Sequence, residues 1–225
     1  SPFERREHTV GARPLLGGLP PLERVPGTVA FVAVMIGTVT FDGLSQGAIW
    51  NDISTALFDT LGSTVTATLG LLAGVALVAG FYMLGMAGAQ TVGGGFTKRE
   101  LARAFVHSLV PIAAVYVAAH YLTFLIFEGQ AIRYTASDPF GQGWDLFGWA
   151  RDGIDYSLLS QNAAWYLQVG LVVAGHVAAL VLAHDRALAL YGQARMAVRS
   201  QYWMLAIMIG FTSMALWLLA QVGSS

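Results

Sequence analysis

The run AFVHSLVPIAAVYVAAHYLTFLIF, from Ala104 to Phe127, contains no Asp, Glu, Lys or Arg over 24 residues. A helix needs about 20 apolar residues to cross the roughly 30 Å hydrocarbon core of a bilayer, so this run predicts a membrane span. The same run carries two histidines, His107 and His120, and a proline, Pro111. Because side chains that bind protons or metals are rare in membrane spans, their presence is a reason to look for a functional site here.

Four further charge-free runs extend the pattern, at 25–41, 60–97, 156–184 and 200–225. The chain of 225 residues is 56% hydrophobic and only 11% charged, a composition typical of membrane proteins. We therefore predict an all-α, polytopic membrane helix bundle with about five transmembrane helices. Its membrane domain covers residues 26–221, with spans near 26–43, 62–87, 102–127, 162–190 and 201–221.

The basic residues divide unequally between the two sides of these spans. With the N-terminus in the cytoplasm, ten of the 12 Lys and Arg residues lie inside, and only Arg133 and Arg151 lie outside. Cytoplasmic loops carry an excess of Lys and Arg, so this orientation is the favoured one. We expect residues 1–25 to form a polar cytoplasmic segment and the protein to lie in the cytoplasmic membrane of the cell.

The longest connection, residues 128–161, is predicted to lie outside the cell. It is rich in Trp, Phe, Tyr, Gly and Asp. Aromatic side chains favour the headgroup region of a bilayer, so we expect a packed surface segment rather than a loose loop. If this segment has a functional role, we expect it to cover a site as a lid.

Four of the five histidines lie inside predicted spans, His107 and His120 on the third and His176 and His184 on the fourth. A neutral histidine can simply bond to a neighbouring helix, but four on two consecutive helices favour a functional role. At about 1.5 Å per residue, His107 and His184 lie at matched depth, within roughly 3 Å. We therefore predict a site between the third and fourth helices, with His107, His120, His176, His184 and Asp185 as candidate metal ligands.

Two further residues interrupt the apolar pattern of the spans. Pro111 has no N–H to donate to the carbonyl four residues back, that of His107, so it predicts a kink in the third span. Asp42 lies beside Gly43 at the outer end of the first span, and we interpret it as a residue that ends the helix. The chain contains no cysteine, which excludes disulfides and thiolate metal sites.

Three chemistries fit the histidines. A b-type haem held between two helices needs an axial histidine from each at matched depth, and His107 with His184 could bind this cofactor. A copper or zinc ion could combine histidines with a carboxylate such as Asp185. A path for protons or ions through His and Asp residues is the third alternative.

Four segments carry a resemblance to a known family: HSLVPIAAVYVAAHY, SDPFGQGWDLFG, GHVAALVLAHDRAL and RSQYWMLAIMIGFTSMALWLL. They resemble a family of actinobacterial multi-pass membrane proteins labelled fenitrothion hydrolase-like, from about Leu22 through nearly the whole chain. Members of that family are longer, so the resemblance implies an upstream membrane segment or a partner subunit. The label implies hydrolysis of an organophosphate ester. Some members carry a further histidine where this chain has Val117.

We interpret the chain as an integral membrane protein in a lipid bilayer, a redox or metal-handling subunit that uses the histidine site. A permease for ions or small molecules and a membrane metal-dependent hydrolase are the alternatives. The net charge is −1, and the basic residues are scattered among short loops, so no nucleic-acid partner is expected.

Overall fold

The computed structural model of the chain describes residues 3–6, 9–12 and 25–222. The first two ranges form an antiparallel hairpin of β1 (Phe3–Arg6) and β2 (Thr9–Ala12). The sequence analysis did not predict this hairpin. Residues 13–24 of the predicted polar segment lie outside the described residues, and the cytoplasmic location of the segment stays a prediction.

The rest of the described chain is helical. Its helices are α1 (Thr28–Ser45), α2 (Ala48–Leu61), α3 (Ser63–Gln90), α4 (Lys98–Phe105), α5 (Val110–Phe127), α6 (Ala131–Ser137), α7 (Gln161–Tyr191) and α8 (Ala194–Val222). Single 3₁₀ turns join α4 to α5 and α5 to α6, so that 98–137 is one continuous helical segment.

Four of these segments are long and apolar enough to cross a membrane, as the sequence predicted for the first four spans. They are Thr28–Ser45, Ser63–Gln90, Lys98–Ser137 and Gln161–Tyr191. Helix α8 occupies the position of the predicted fifth span, but its membrane crossing stays a prediction, as does the orientation of the N-terminus.

Five long helices pack in a closed ring. Helix α1 contacts α3, α3 contacts α8, α8 contacts α7, α7 contacts α5, and α5 returns to α1. In an apolar stretch of 18 residues within each of the four spans, only 22% to 33% of the residues are buried inside this bundle. The remaining side chains are mostly apolar and face outwards, which suits a surrounding of lipid.

Small residues allow the helices to approach closely. A Cβ added at Gly37 of α1 would lie 2.6 Å from the Cα of Val75 on α3, and one added at Gly175 of α7 would clash with the side chain of Val115 on α5. Close backbone approach at small residues is a usual way for membrane helices to associate, because burial away from water adds little there.

The predicted kink in the third span is confirmed, and it takes the form of a break. Helix α4 ends at Phe105, a 3₁₀ turn covers Val106–Leu109, and α5 begins with Pro111 in its first turn. Pro111 has no N–H to donate to the carbonyl of His107, and this carbonyl accepts a hydrogen bond from the Val110 N–H instead. The turn therefore satisfies the acceptor that the proline leaves.

Neighbouring helices supply further hydrogen bonds at this break. The Tyr82 hydroxyl of α3 donates to the Ala102 carbonyl at 2.6 Å, and Nε of Arg186 on α7 donates to the Ala104 carbonyl at 3.2 Å. Backbone groups in a bilayer have no water to bond, so they need partners of this kind. These two hydrogen bonds hold α4 against α3 and α7 beside the break.

Helix α2 is an element that the sequence analysis missed. It has 14 residues, which is too short to span a bilayer, and Asp52 and Asp59 made this stretch resemble a loop. Trp50 packs edge-on against Phe41 of α1, with ring centroids 4.8 Å apart. Trp50 also covers Gly70 of α3, so α2 is held against the end of the α1–α3 pair.

The segment after α6 is organised around a buried hydroxyl. Ser137 donates to Oδ1 of Asp145 at 2.7 Å, and its oxygen accepts the backbone N–H groups of Phe147 and Trp149. Donation from the Ala150 N–H and from Ser137 holds the pKa of the Asp145 carboxyl below its usual range. These bonds give residues 137–150 a defined conformation, while their location over or along the membrane stays a prediction.

Replacement of Ser137 by alanine is expected to loosen this segment. The variant loses the donor to Asp145 and the acceptor for two backbone N–H groups, so trypsin should cut after the exposed Arg151 severalfold faster than in the parent. Thr135→Ala is the matched control, because it removes an exposed hydroxyl on the same helix. Equal cleavage rates for the two variants in detergent would contradict the assignment.

Candidate functional site

The structure separates the histidines that the sequence grouped together. His184 and Asp185 are exposed, and Nδ1 of His184 lies 3.2 Å from the side-chain oxygen of Gln201 on α8. His107 is half-buried in the 3₁₀ turn, and its imidazole has no hydrogen-bonding partner within the described residues. No hydrogen bond joins His107 to His184 there. Their shared metal or haem site stays a prediction.

Acidic and imidazole ligands do not gather anywhere in the described part of the chain. No group of three or more His, Asp or Glu side chains lies close enough to hold a metal ion among residues 25–222. The metal site predicted from His107, His120, His176, His184 and Asp185 stays a prediction.

His176 is the histidine that the fold places at the centre of the bundle. It lies 15 residues from each end of α7, and only 8% of its surface is exposed. Its Nδ1 is 2.7 Å from the carbonyl oxygen of Val172. A carbonyl can only accept, so Nδ1 must carry the proton, and Nε2 is left with a free lone pair.

A cavity of about 70 Å³ lies beside this histidine, and residues of all five long helices line it. Its wall includes Ile36 and Thr40 of α1, Val78, Tyr82 and Met86 of α3, Ile112 and Tyr116 of α5, His176 of α7, and Met204, Met208 and Phe211 of α8. A buried water needs roughly 10–15 Å³, so an ion or a few waters fit.

Three hydroxyl groups in the wall donate their hydrogen bonds to backbone carbonyls. Thr40 donates to the Ile36 carbonyl at 2.8 Å, Ser108 to the Phe105 carbonyl at 2.7 Å, and Tyr82 to a carbonyl as described above.

The described wall therefore offers lone pairs and hardly any protons. His176 contributes an imidazole nitrogen, and the hydroxyls contribute oxygen lone pairs. Thioether sulfurs come from Met86, Met204 and Met208, which are buried, and from the half-buried Met214. None of the described residues in the wall is charged. Such a cavity attracts a cation or a hydrogen-bond donor rather than an anion.

A second polar cluster joins α1 to α5 near the ends of both helices. Nε2 of His120 lies 2.7 Å from Oδ2 of Asp42, and the Tyr121 hydroxyl donates to the same oxygen at 3.3 Å. The side chains of His120 and Asp42 are 21% and 45% exposed, so water or headgroups reach the pair. The carboxylate of Asp42 holds the imidazole ring of His120 in place.

Asp42 does not end the first helix, contrary to our interpretation of the sequence. Helix α1 continues to Ser45, and the carboxylate is used for a contact between helices. Asp42 lies 3 residues and His120 lies 7 residues before the ends of their helices, which puts them within about 6 Å of the same level at 1.5 Å per residue. The depth comparison that we applied to the histidines would have identified this partner.

Loss of the Asp42–His120 bond is expected to be visible in a double-mutant cycle. Asp42→Asn and His120→Gln should show a coupling energy of about 0.5–2 kcal/mol, the range of hydrogen bonds between membrane helices. Thermal unfolding in detergent measures it. The cycle of Asp42→Asn with His184→Gln is the control and should be additive, since no hydrogen bond or ion pair joins those residues. Additivity in both cycles would show that the pair contributes no coupling.

Comparison of the chain with family models, with curated proteins and with solved structures found no match. The resemblance to the fenitrothion hydrolase-like family stays a prediction.

The methionines of the cavity are the residues that the sequence analysis missed. Met204 and Met208 are four residues apart and so lie on one face of α8, and both are buried. Their spacing was visible in the sequence, but buried methionines more often fill gaps in a core, so the pattern alone carries little information. Only their position opposite His176 gives them a candidate role.

Proposed function

We propose that the chain is an integral membrane metal-handling protein that holds one metal ion at His176. This site differs from the predicted one between the third and fourth spans, because residues of all five long helices line the cavity. His176, one of the predicted candidate ligands, is its principal ligand. The observation that carries the proposal is His176, a buried residue whose Nδ1 bonds the Val172 carbonyl and whose side chain lines a cavity with an uncharged described wall that supplies lone pairs.

The setting of His176 is the one that metal-binding histidines adopt. Such a histidine donates its other ring N–H to a carbonyl or carboxylate, which fixes the tautomer and aims the free nitrogen at the metal. The Val172 carbonyl fulfils this role at 2.7 Å. A histidine that served only to join helices would be expected to bond a neighbouring helix, whereas His176 bonds its own helix, four residues back.

Transport of the bound ion is a second candidate function. Thr40 and Tyr116 line the cavity, and Asp42 and His120 follow them by two and four residues on the same helices. A polar, partly exposed pair next to a buried cation site suits a point of entry for the ion. Uptake of metal by vesicles that contain the protein would distinguish transport from storage or redox use.

Metal titration of the purified protein tests the proposed function. After treatment with a chelator, the protein in detergent should bind about one equivalent of Cu(I), Cu(II) or Zn(II) per chain. A variant with both His107→Ala and His184→Ala is the control, and it should keep the ion if His176 is the ligand. Loss of binding in this control would favour the site predicted from matched depth, and absence of saturable binding in the parent would contradict any metal-handling role.

A further inference from the structure

We infer that the ion is monovalent copper, held by Nε2 of His176 together with the thioethers of Met86, Met204 and Met208. This inference rests on the proposed function, because it names the ion for the same site. It goes beyond that proposal by adding ligands from α3 and α8 and by specifying the oxidation state.

The choice of ligands favours a soft ion. Zinc and divalent copper prefer imidazole, carboxylate and water, and three or four such ligands are needed to hold them. The described wall of the cavity contains one imidazole, no carboxylate and several thioethers. Thioether sulfur selects Cu(I) among the biological first-row metals, so the ligands that are present match that ion.

The absence of charge in the described wall of the cavity also favours Cu(I). No described residue in the wall carries a negative charge, so nothing there compensates the charge of a bound cation. The cost of moving an ion from water into a medium of low dielectric rises with the square of its charge, so a divalent ion costs about four times as much as a monovalent one of equal size. A neutral set of His and Met ligands in mid-membrane therefore suits a single positive charge.

The methionines are placed where they can act together. Met86, Met204 and Met208 are 1%, 8% and 8% exposed, so their sulfurs are shielded from water. Met204 and Met208 lie one turn apart on α8, which packs against both α3 and α7. Helix α8 thus lies between the helix of Met86 and the helix of His176. Methionine is flexible at three bonds, so the side chains can turn their sulfurs towards an ion without movement of the helices.

Replacement of Met86, Met204 and Met208 by leucine tests this inference. Leucine keeps the apolar volume and removes the sulfur, so the fold should persist while Cu(I) affinity falls by at least about tenfold. Competition with a chromogenic Cu(I) chelator measures the affinity, and Ag(I), a redox-stable soft ion, serves as a second probe. Met196→Leu, on α8 but outside the described wall of the cavity, is the control and should bind like the parent.

The outcomes separate the inference from the proposal on which it rests. We expect the parent protein to bind Cu(I) and Ag(I) tightly and Zn(II) at least about tenfold more weakly. The triple leucine variant should bind Cu(I) and Ag(I) more weakly than the parent. Zn(II) or Cu(II) bound as tightly as Cu(I), with the leucine variant unchanged, would overturn the inference and leave a metal site at His176. Absence of any bound metal would overturn both. If the triple variant does not fold, the single Met208→Leu variant is used for the same comparison.

Discussion

His176→Ala is expected to lower the affinity for the bound metal by more than about 100-fold. Loss of a residue that merely orients a ligand already costs about 10–100-fold, and His176 is proposed to bind the ion directly. The only nitrogen ligand in the described wall of the cavity would be removed. Equilibrium competition with a chelator in detergent, combined with metal analysis after gel filtration, measures the loss.

His184→Ala is the matched control for this variant. It removes the same side chain from the same helix, eight residues further on, at an exposed position bonded to Gln201. We expect full metal occupancy in this control. An affinity in His176→Ala equal to that of the parent would mean that His176 has only a structural role, whatever its effect on thermal stability.

Gly175→Ala is expected to have the second-largest effect. A Cβ at this position of α7 would collide with the side chain of Val115 on α5, and valine has little freedom to turn away. Overpacking of this kind costs about 1–3 kcal/mol. Because His176 is the next residue, separation of α7 from α5 should also displace its ring and weaken metal binding.

Gly170→Ala provides the comparison on the same helix. Nothing lies within 4 Å of a Cβ added at Gly170, so this substitution should be neutral or slightly stabilising, given the better helix propensity of alanine. Thermal unfolding of both variants in the same detergent gives the difference. Equal stability of the two variants would contradict the close contact of α5 and α7 in the bundle.

The sequence predicted the membrane helices well because charge-free length is a local property. The first four spans follow directly from runs without Asp, Glu, Lys or Arg, and Pro111 marked the break between α4 and α5. Helix α2 was missed for the same reason. Its acidic residues Asp52 and Asp59 interrupt the apolar run, and a helix outside the four spans leaves no length signal.

The site was harder to predict, since it depends on which faces meet. Matched depth singled out His107 and His184, but depth along a helix does not determine the direction of a side chain around it. In the structure His184 faces outwards beside α8, while His176, on the same helix, faces the central cavity. The close approach at Gly175 and Val115 and the ring order of the helices decide this, and both are non-local.

The most direct test of the central claim is the location of the ion itself. Anomalous diffraction at the copper absorption edge, from crystals grown with Cu(I) under reducing conditions, would show where the metal lies. The account predicts one strong peak inside the five-helix ring, about 2.0–2.1 Å from Nε2 of His176, as for other metal–imidazole bonds. A peak at His107 and His184, or at the Asp42–His120 pair with none in the cavity, would contradict it.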